Sequence, residues 1–170
     1  DTLVDKLLDE KIAGTADSDL QATYAGLKGT IAVANAQLAY AAFLEIFSGE
    51  RWEKLAAAGA RPQRPLWAST GTKNPDYSDT LYVDTLIGPH TVNTMPAKTI
   101  EAFLDHGTVH RTVDADLEGA WNLIAELKTT GIDLKAVTDQ LEEEGIASFI
   151  KSFETLLAGV ESKRAALAGR

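Results

Sequence analysis

The sequence predicts an α/β fold that is mostly helical, with two short parallel strands at about 66–70 and 91–95. Three observations predict it. Apolar residues recur at helical spacing along most of the chain. Residues 60–107 break that pattern with short runs bounded by Pro and Gly, as strands are. There the order runs helix, strand, helix, strand, helix, which favours parallel strands joined by helical crossovers.

The elements follow in order. Leu3, Val4, Leu7, Leu8 and Ile12 mark a first helix that Gly14 closes, and residues 14–19 read as loop. One long helix is expected next. Its stripe is Leu27, Ile31, Ala34, Leu38 and Ala41, widened by Tyr40, Phe43 and Phe47. So wide a stripe means burial on more than one side. Gly49 ends or interrupts it, Trp52, Leu55 and Ala56 continue the spacing, and Gly59 suits the position just past a helix end. Pro62 and Pro65 stop that helix. Leu66 to Thr70 is the first strand, bounded by Pro65 and Gly71; Thr91 to Met95 is the second, between Pro89 and Pro96. A short helix from Tyr82 to Ile87 separates them. Pro96 opens a helix through Ile100, Phe103 and Leu104. Asp114 and Asp133 are expected helix caps. The stripe Leu117, Ala120, Trp121, Ile124, Leu127 follows the first, and Leu134, Val137, Leu141 follow the second. Gly145 is an expected break before a last amphipathic helix through Ile146, Phe149, Ile150, Phe153, Leu157 and Val160. Two strands alone cannot form a parallel sheet with both faces covered, so partner strands are expected elsewhere. The chain opens on Asp1 inside a helical pattern, which predicts a processed or truncated parent.

Composition narrows the function classes. The 170 residues suit one domain or a piece of one, read as a single segment over 1–170, and 45% are hydrophobic, enough for a core. The net charge is −9, which argues against a nucleic-acid partner. No run reaches the roughly 18 apolar residues of a membrane span, so no membrane partner is expected. The absence of Cys removes disulfides and thiolate metal sites and fits a reducing, cytoplasmic compartment. The charge is uneven. Residues 51–75 hold Arg51, Lys54, Arg61, Arg64 and Lys73 against Glu53 alone. Such an island either focuses a field on a small anion or is a solvated surface with ion pairs.

Chemistry on parallel strands gathers at their carboxyl edge. Here that edge holds Ser69, Thr70, Gly71, Thr72, Lys73 and Asn74 after the first strand, and Asn93 and Thr94 after the second. A hydroxyl-rich turn with Gly, ending in Lys, suits a phosphate: backbone and hydroxyl groups donate, and Lys adds a point charge. On spacing alone it is either that or an ordinary solvated turn. It is not a G-x-x-x-x-G-K-[ST] loop, so no nucleotide is implied. His106 and His110 are four apart, but Gly107 between them ends the helix, so a metal pair is not expected. His90 is a loop residue. Trp52, Trp67 and Trp121 read as core or interface aromatics, and Glu142 to Glu144 as a solvated helix face.

The stretch Arg61-Pro-Gln-Arg-Pro-Leu-Trp-Ala-Ser-Thr-Gly-Thr-Lys-Asn-Pro-Asp-Tyr-Ser-Asp-Thr-Leu-Tyr-Val-Asp84 closely resembles transaldolases. So does Leu86-Ile-Gly-Pro-His-Thr-Val-Asn-Thr-Met-Pro96. Ala34-Asn-Ala-Gln-Leu-Ala-Tyr40 and Phe47-Ser-Gly-Glu-Arg-Trp52 are similar to the branch that includes actinobacterial enzymes. The resemblance covers essentially this whole chain and about the C-terminal half of a transaldolase.

The resemblance implies the C-terminal portion of a (β/α)8 TIM barrel of the pentose phosphate pathway. Such enzymes transfer a dihydroxyacetone unit from sedoheptulose 7-phosphate to glyceraldehyde 3-phosphate. They use a Schiff-base lysine and no cofactor or metal. Residues 66–71 resemble the seventh strand and 91–95 the eighth. The Schiff-base lysine and the acid/base carboxylates belong to earlier strands, so no catalytic residue is expected in this chain. The substrates are sugar phosphates, and the N-terminal half of the barrel is a required partner. Lys73 matches the family's substrate-phosphate cation, with Ser69 and Gly71 in the same turn. Better-known branches place Arg there; a Lys offers a point charge without Arg's bidentate fork. The alternative is a non-catalytic helical structural or interaction module derived from a transaldolase.

Overall fold

A computed structural model describes residues 1–168. The chain forms two compact units, one over 1–132 and one from Asp133 onward. The first holds α1 (Thr2–Ala13), α2 (Ser18–Leu27), α3 (Ile31–Ile46), α4 (Gly49–Ala57), β1 (Leu66–Trp67), α5 (Leu81–Asp84), β2 (Val92–Asn93), α6 (Ala97–His106) and α7 (Leu117–Thr129). The second holds α8 (Leu134–Ala168).

The strands pair in parallel, as the βα order predicts, with Leu66 opposite Val92 and Trp67 opposite Asn93. They are two residues long, shorter than expected. Ser69 takes a left-handed φ of 58°, which ends the extended run before Thr70. On the other strand, pairing ends where the Thr94 amide donates to the Trp67 carbonyl at 2.9 Å.

The expected long helix is two helices. Gly29, at φ 73°, turns the chain between α2 and α3. α2 is capped by Asp17, whose carboxylate accepts from the Asp19 and Leu20 amides. α3 packs along α7, and α1 along α2. Tyr40, Phe43, Leu86 and Val113 form one buried cluster, with Phe47 and Trp67 against it. Each such burial contributes about 1.5–3 kcal/mol. The Tyr40 hydroxyl donates to the Pro89 carbonyl at 3.1 Å. The chain bends by 69° between α3 and α4, and among the described residues no single helix is long and apolar enough to cross a membrane.

Three other expectations are corrected. Asp116, not Asp114, caps α7 by accepting from the Gly119 amide, while Asp114 is paired with Arg111. Gly145 does not break α8. That helix begins at the expected cap, Asp133, whose carboxylate accepts from the Lys135 amide, and runs without interruption. A glycine inside a helix costs only about 1 kcal/mol against alanine. Phe149, Phe153 and Leu156 on α8 are exposed, as is the acidic run Glu142 to Glu144. Trp121, expected as a core or interface aromatic, is 62% exposed, so it is not a core residue.

His106 ends α6 with both ring nitrogens facing carboxylates, Nε2 at 2.8 Å from Asp79 and Nδ1 at 3.1 Å from Asp105. Only the imidazolium satisfies both, so its pKa is raised above the ordinary 6.5, first by the hydrogen bond to Asp79. The pairing with His106 lowers the Asp79 pKa. The contact is therefore fully favourable below the ordinary histidine range and is lost as pH rises through the raised midpoint. On the acid side it is lost as pH falls through the lowered Asp79 midpoint. NMR titration of His106 should give a midpoint above 6.5, and Asp79→Asn should move it down. A midpoint unmoved by Asp79→Asn would dismiss the pair.

Candidate functional site

A cleft of about 950 Å3 opens in the first unit. Its walls are α1, the start of α3, β1 and the turn that follows β1, with Tyr77 and Tyr82 beyond. The parallel pairing puts the carboxyl ends of both strands on one side, and this brings the turn to the cleft.

The turn is held at its start by a buried hydroxyl. Thr70, 4% exposed, has Oγ1 at 2.7 Å from Asn93 Oδ1 and 3.0 Å from the Thr94 carbonyl. Asn93 in turn donates from Nδ2 to the Tyr82 carbonyl at 3.1 Å. So Thr70 and Asn93, both at the predicted carboxyl edge, tie the strand ends together. Ser69 and Lys73 are exposed and line the cleft. The left-handed backbone at Ser69 is the strained kind that clusters at functional sites. Gly71 also lines the cleft, and an added Cβ there would sit 3.1 Å from Pro96 Cγ. Close packing on Pro96 is thus one reason for glycine at that position. Thr72 Oγ1 is buried without a hydrogen-bond partner among the described residues.

Sequence reasoning placed the turn correctly but not its electrostatic surroundings. Of the basic island, Lys73 alone lines the cleft; Lys54 pairs with Glu50 on α4, and Arg51, Arg61 and Arg64 are elsewhere. The second cation on the cleft wall is Lys6 of α1, accompanied by Asp1, Asp5, Asp9 and Glu10. Two tyrosines were also missed. The Tyr82 hydroxyl donates to the Asp1 carboxylate, and the Tyr77 hydroxyl donates to Asp5 Oδ2 at 2.8 Å. Their only sequence signal was membership of the Arg61–Asp84 stretch. The His106 ring nitrogens face Asp79 and Asp105, and among the described residues no group of three or more metal-ligating side chains converges.

The arrangement puts an exposed cation, Lys73, and an exposed hydroxyl, Ser69, on the rim of one cleft, groups of the kind that pair with anions. The sequence profile of the family described as transaldolase/fructose-6-phosphate aldolase matches residues 4–160. The chain is 44% identical over 165 residues to a transaldolase of Trichodesmium erythraeum, an alignment covering 96% of this chain and 43% of that protein. It is 46% identical over 164 residues to a transaldolase of Thermobifida fusca, covering 96% and 44%. It is 49% identical over 158 residues to transaldolase 1 of Streptomyces avermitilis, covering 92% and 41%. The chain spans less than half the length of these relatives.

Proposed function

We propose, from the premise that this chain belongs to the transaldolase/fructose-6-phosphate aldolase family, that it is the C-terminal part of one (β/α)8 barrel domain and supplies its phosphate-binding rim. The complete protein is a cytoplasmic transferase of the pentose phosphate pathway. It moves a dihydroxyacetone unit from sedoheptulose 7-phosphate to glyceraldehyde 3-phosphate through a Schiff-base lysine outside this chain. Here the substrate phosphate lies against the Lys73 ammonium, the Ser69 hydroxyl and the backbone at Gly71.

The observation that carries this reading is the turn 69–73 set at the carboxyl end of two parallel strands and opening on a cleft. Remote binding of a phosphate orients the reacting end of the sugar, which is how a rim without catalytic groups serves catalysis. The test joins this segment to the preceding barrel strands and assays formation of erythrose 4-phosphate and fructose 6-phosphate. Turnover is expected; a folded protein without turnover overturns the reading.

One observation favours a second reading, a non-catalytic interaction module: α8 exposes Phe149, Phe153 and Leu156 together. That module has no use for phosphate, so phosphate-selective loss on changing Lys73 separates the two.

A further inference from the structure

The turn after β1 is fixed at both limbs, and the second fixing point lies in α1. Thr70 anchors the start on Asn93. Beyond Lys73, residues 74–77 fold into a tight turn: the Asp76 amide donates to Asn74 Oδ1 at 3.0 Å and the Tyr77 amide to the Asn74 carbonyl at 3.3 Å. Tyr77 then reaches Asp5. That carboxylate, in a residue only 8% exposed, needs donors for its oxygens. It has two. The Gly29 amide donates to Oδ1 at 3.1 Å, and the Tyr77 hydroxyl donates to Oδ2 at 2.8 Å. The Lys28 ammonium makes its direct ion pair with Asp9 at 2.6 Å. The Tyr77 ring covers Gly29 so closely that an added Cβ there would lie 2.8 Å from Cζ. Burial, then the bond to Asp5, pushes the Tyr77 hydroxyl up to about 12, so it stays a neutral donor across the working pH range.

We propose that Tyr77 and Asp5 form a positioning latch, which holds the turn carrying Lys73 against α1 and the Gly29 bend and so fixes the phosphate cation at the cleft. This rests on the phosphate reading above and adds the residues that set its geometry. Between the Thr70 and Asn74 anchors only Gly71, Thr72 and Lys73 are left to move. A small misplacement of a binding group costs specificity without touching the reacting atoms.

The test uses the complete protein that carries this segment, with fructose 6-phosphate and fructose as donors. Tyr77→Phe removes one hydroxyl and keeps the ring over Gly29. It should raise KM for fructose 6-phosphate roughly threefold to tenfold, the range of one hydrogen bond, and leave kcat/KM for fructose unchanged. Tyr40→Phe, which removes a hydroxyl bonded to Pro89 within the core, is the control for lost stability alone; the ratio between the two sugars should not move. The latch is overturned if Tyr77→Phe affects both sugars equally, or neither, while Lys73→Ala still discriminates between them. If Lys73→Ala itself does not discriminate, the phosphate reading has failed and the latch fails with it.

Discussion

Borohydride reduction of this 170-residue chain with fructose 6-phosphate should trap no adduct, and the chain alone should show no transaldolase turnover. An imine-forming lysine must lose its proton near neutral pH, and proteins achieve that by burying the amine away from water or beside another cation. No lysine among the described residues is buried. Lys6 and Lys73 reach the cleft, and both are exposed. Lys28 is held by Asp9 at 2.6 Å, and its ammonium is pushed up, the wrong direction for a nucleophile. With no buried amine among the described residues the covalent step is not expected here, so the effect should fall on the whole reaction and not on affinity. Mass spectrometry of the reduced chain checks it. A stoichiometric adduct on Lys6 or Lys73 would place the covalent chemistry inside this segment and overturn the assignment of that lysine to other strands.

What the sequence revealed of this fold depended on how far apart the determining residues lie. Apolar spacing marked α1, α6 and α7 correctly, and the βα order predicted parallel pairing. Both are local signals. The break at residues 28–30 was missed because Leu27 and Ile31 keep helical spacing across it. What stabilises the bend is distant: the Gly29 amide finds a carboxylate in α1, and Tyr77 closes over it. Gly145 was misread for the opposite reason. A glycine looks like a break in sequence, yet nothing lies within 4 Å of a Cβ added there, and its propensity cost does not outweigh helix continuing on both sides. The cap of α7 is Asp116, which directly precedes Leu117 and accepts from the Gly119 amide, while Asp114 lies farther off and pairs with Arg111. Of the cleft lining, Ser69, Gly71 and Lys73 were legible because they follow one strand directly. The tyrosines were not, since Tyr77 meets Asp5 and Tyr82 meets Asp1 only through tertiary folding. The basic island was legible as composition but scattered in space, and only its last member serves the cleft.

In the complete protein, Lys73→Ala should weaken the use of phosphorylated sugars about tenfold to a hundredfold. Lys73 is exposed on the cleft rim, beside the exposed hydroxyl side of the turn at Ser69. A hydrogen bond to a charged partner is worth about 1.5–3 kcal/mol, and about 1.4 kcal/mol is one decade. The acidic wall sharpens the point. Asp1, Asp5, Asp9 and Glu10 share the cleft, so a phosphate approaching without Lys73 would meet mostly like charge. Lys6 on α1 supplies the remaining cation there, which keeps the loss from being total. Because phosphate binding also orients the reacting end, both KM and kcat should suffer with fructose 6-phosphate. With fructose, which lacks the phosphate, the variant should behave nearly as the unmodified protein does. Lys73→Arg restores the charge on a different geometry and should retain part of the preference. Steady-state kinetics on the two sugars checks this, with circular dichroism to establish that each variant is folded. Equal losses on both sugars in a folded variant would make Lys73 part of the scaffold, and the turn an ordinary solvated one.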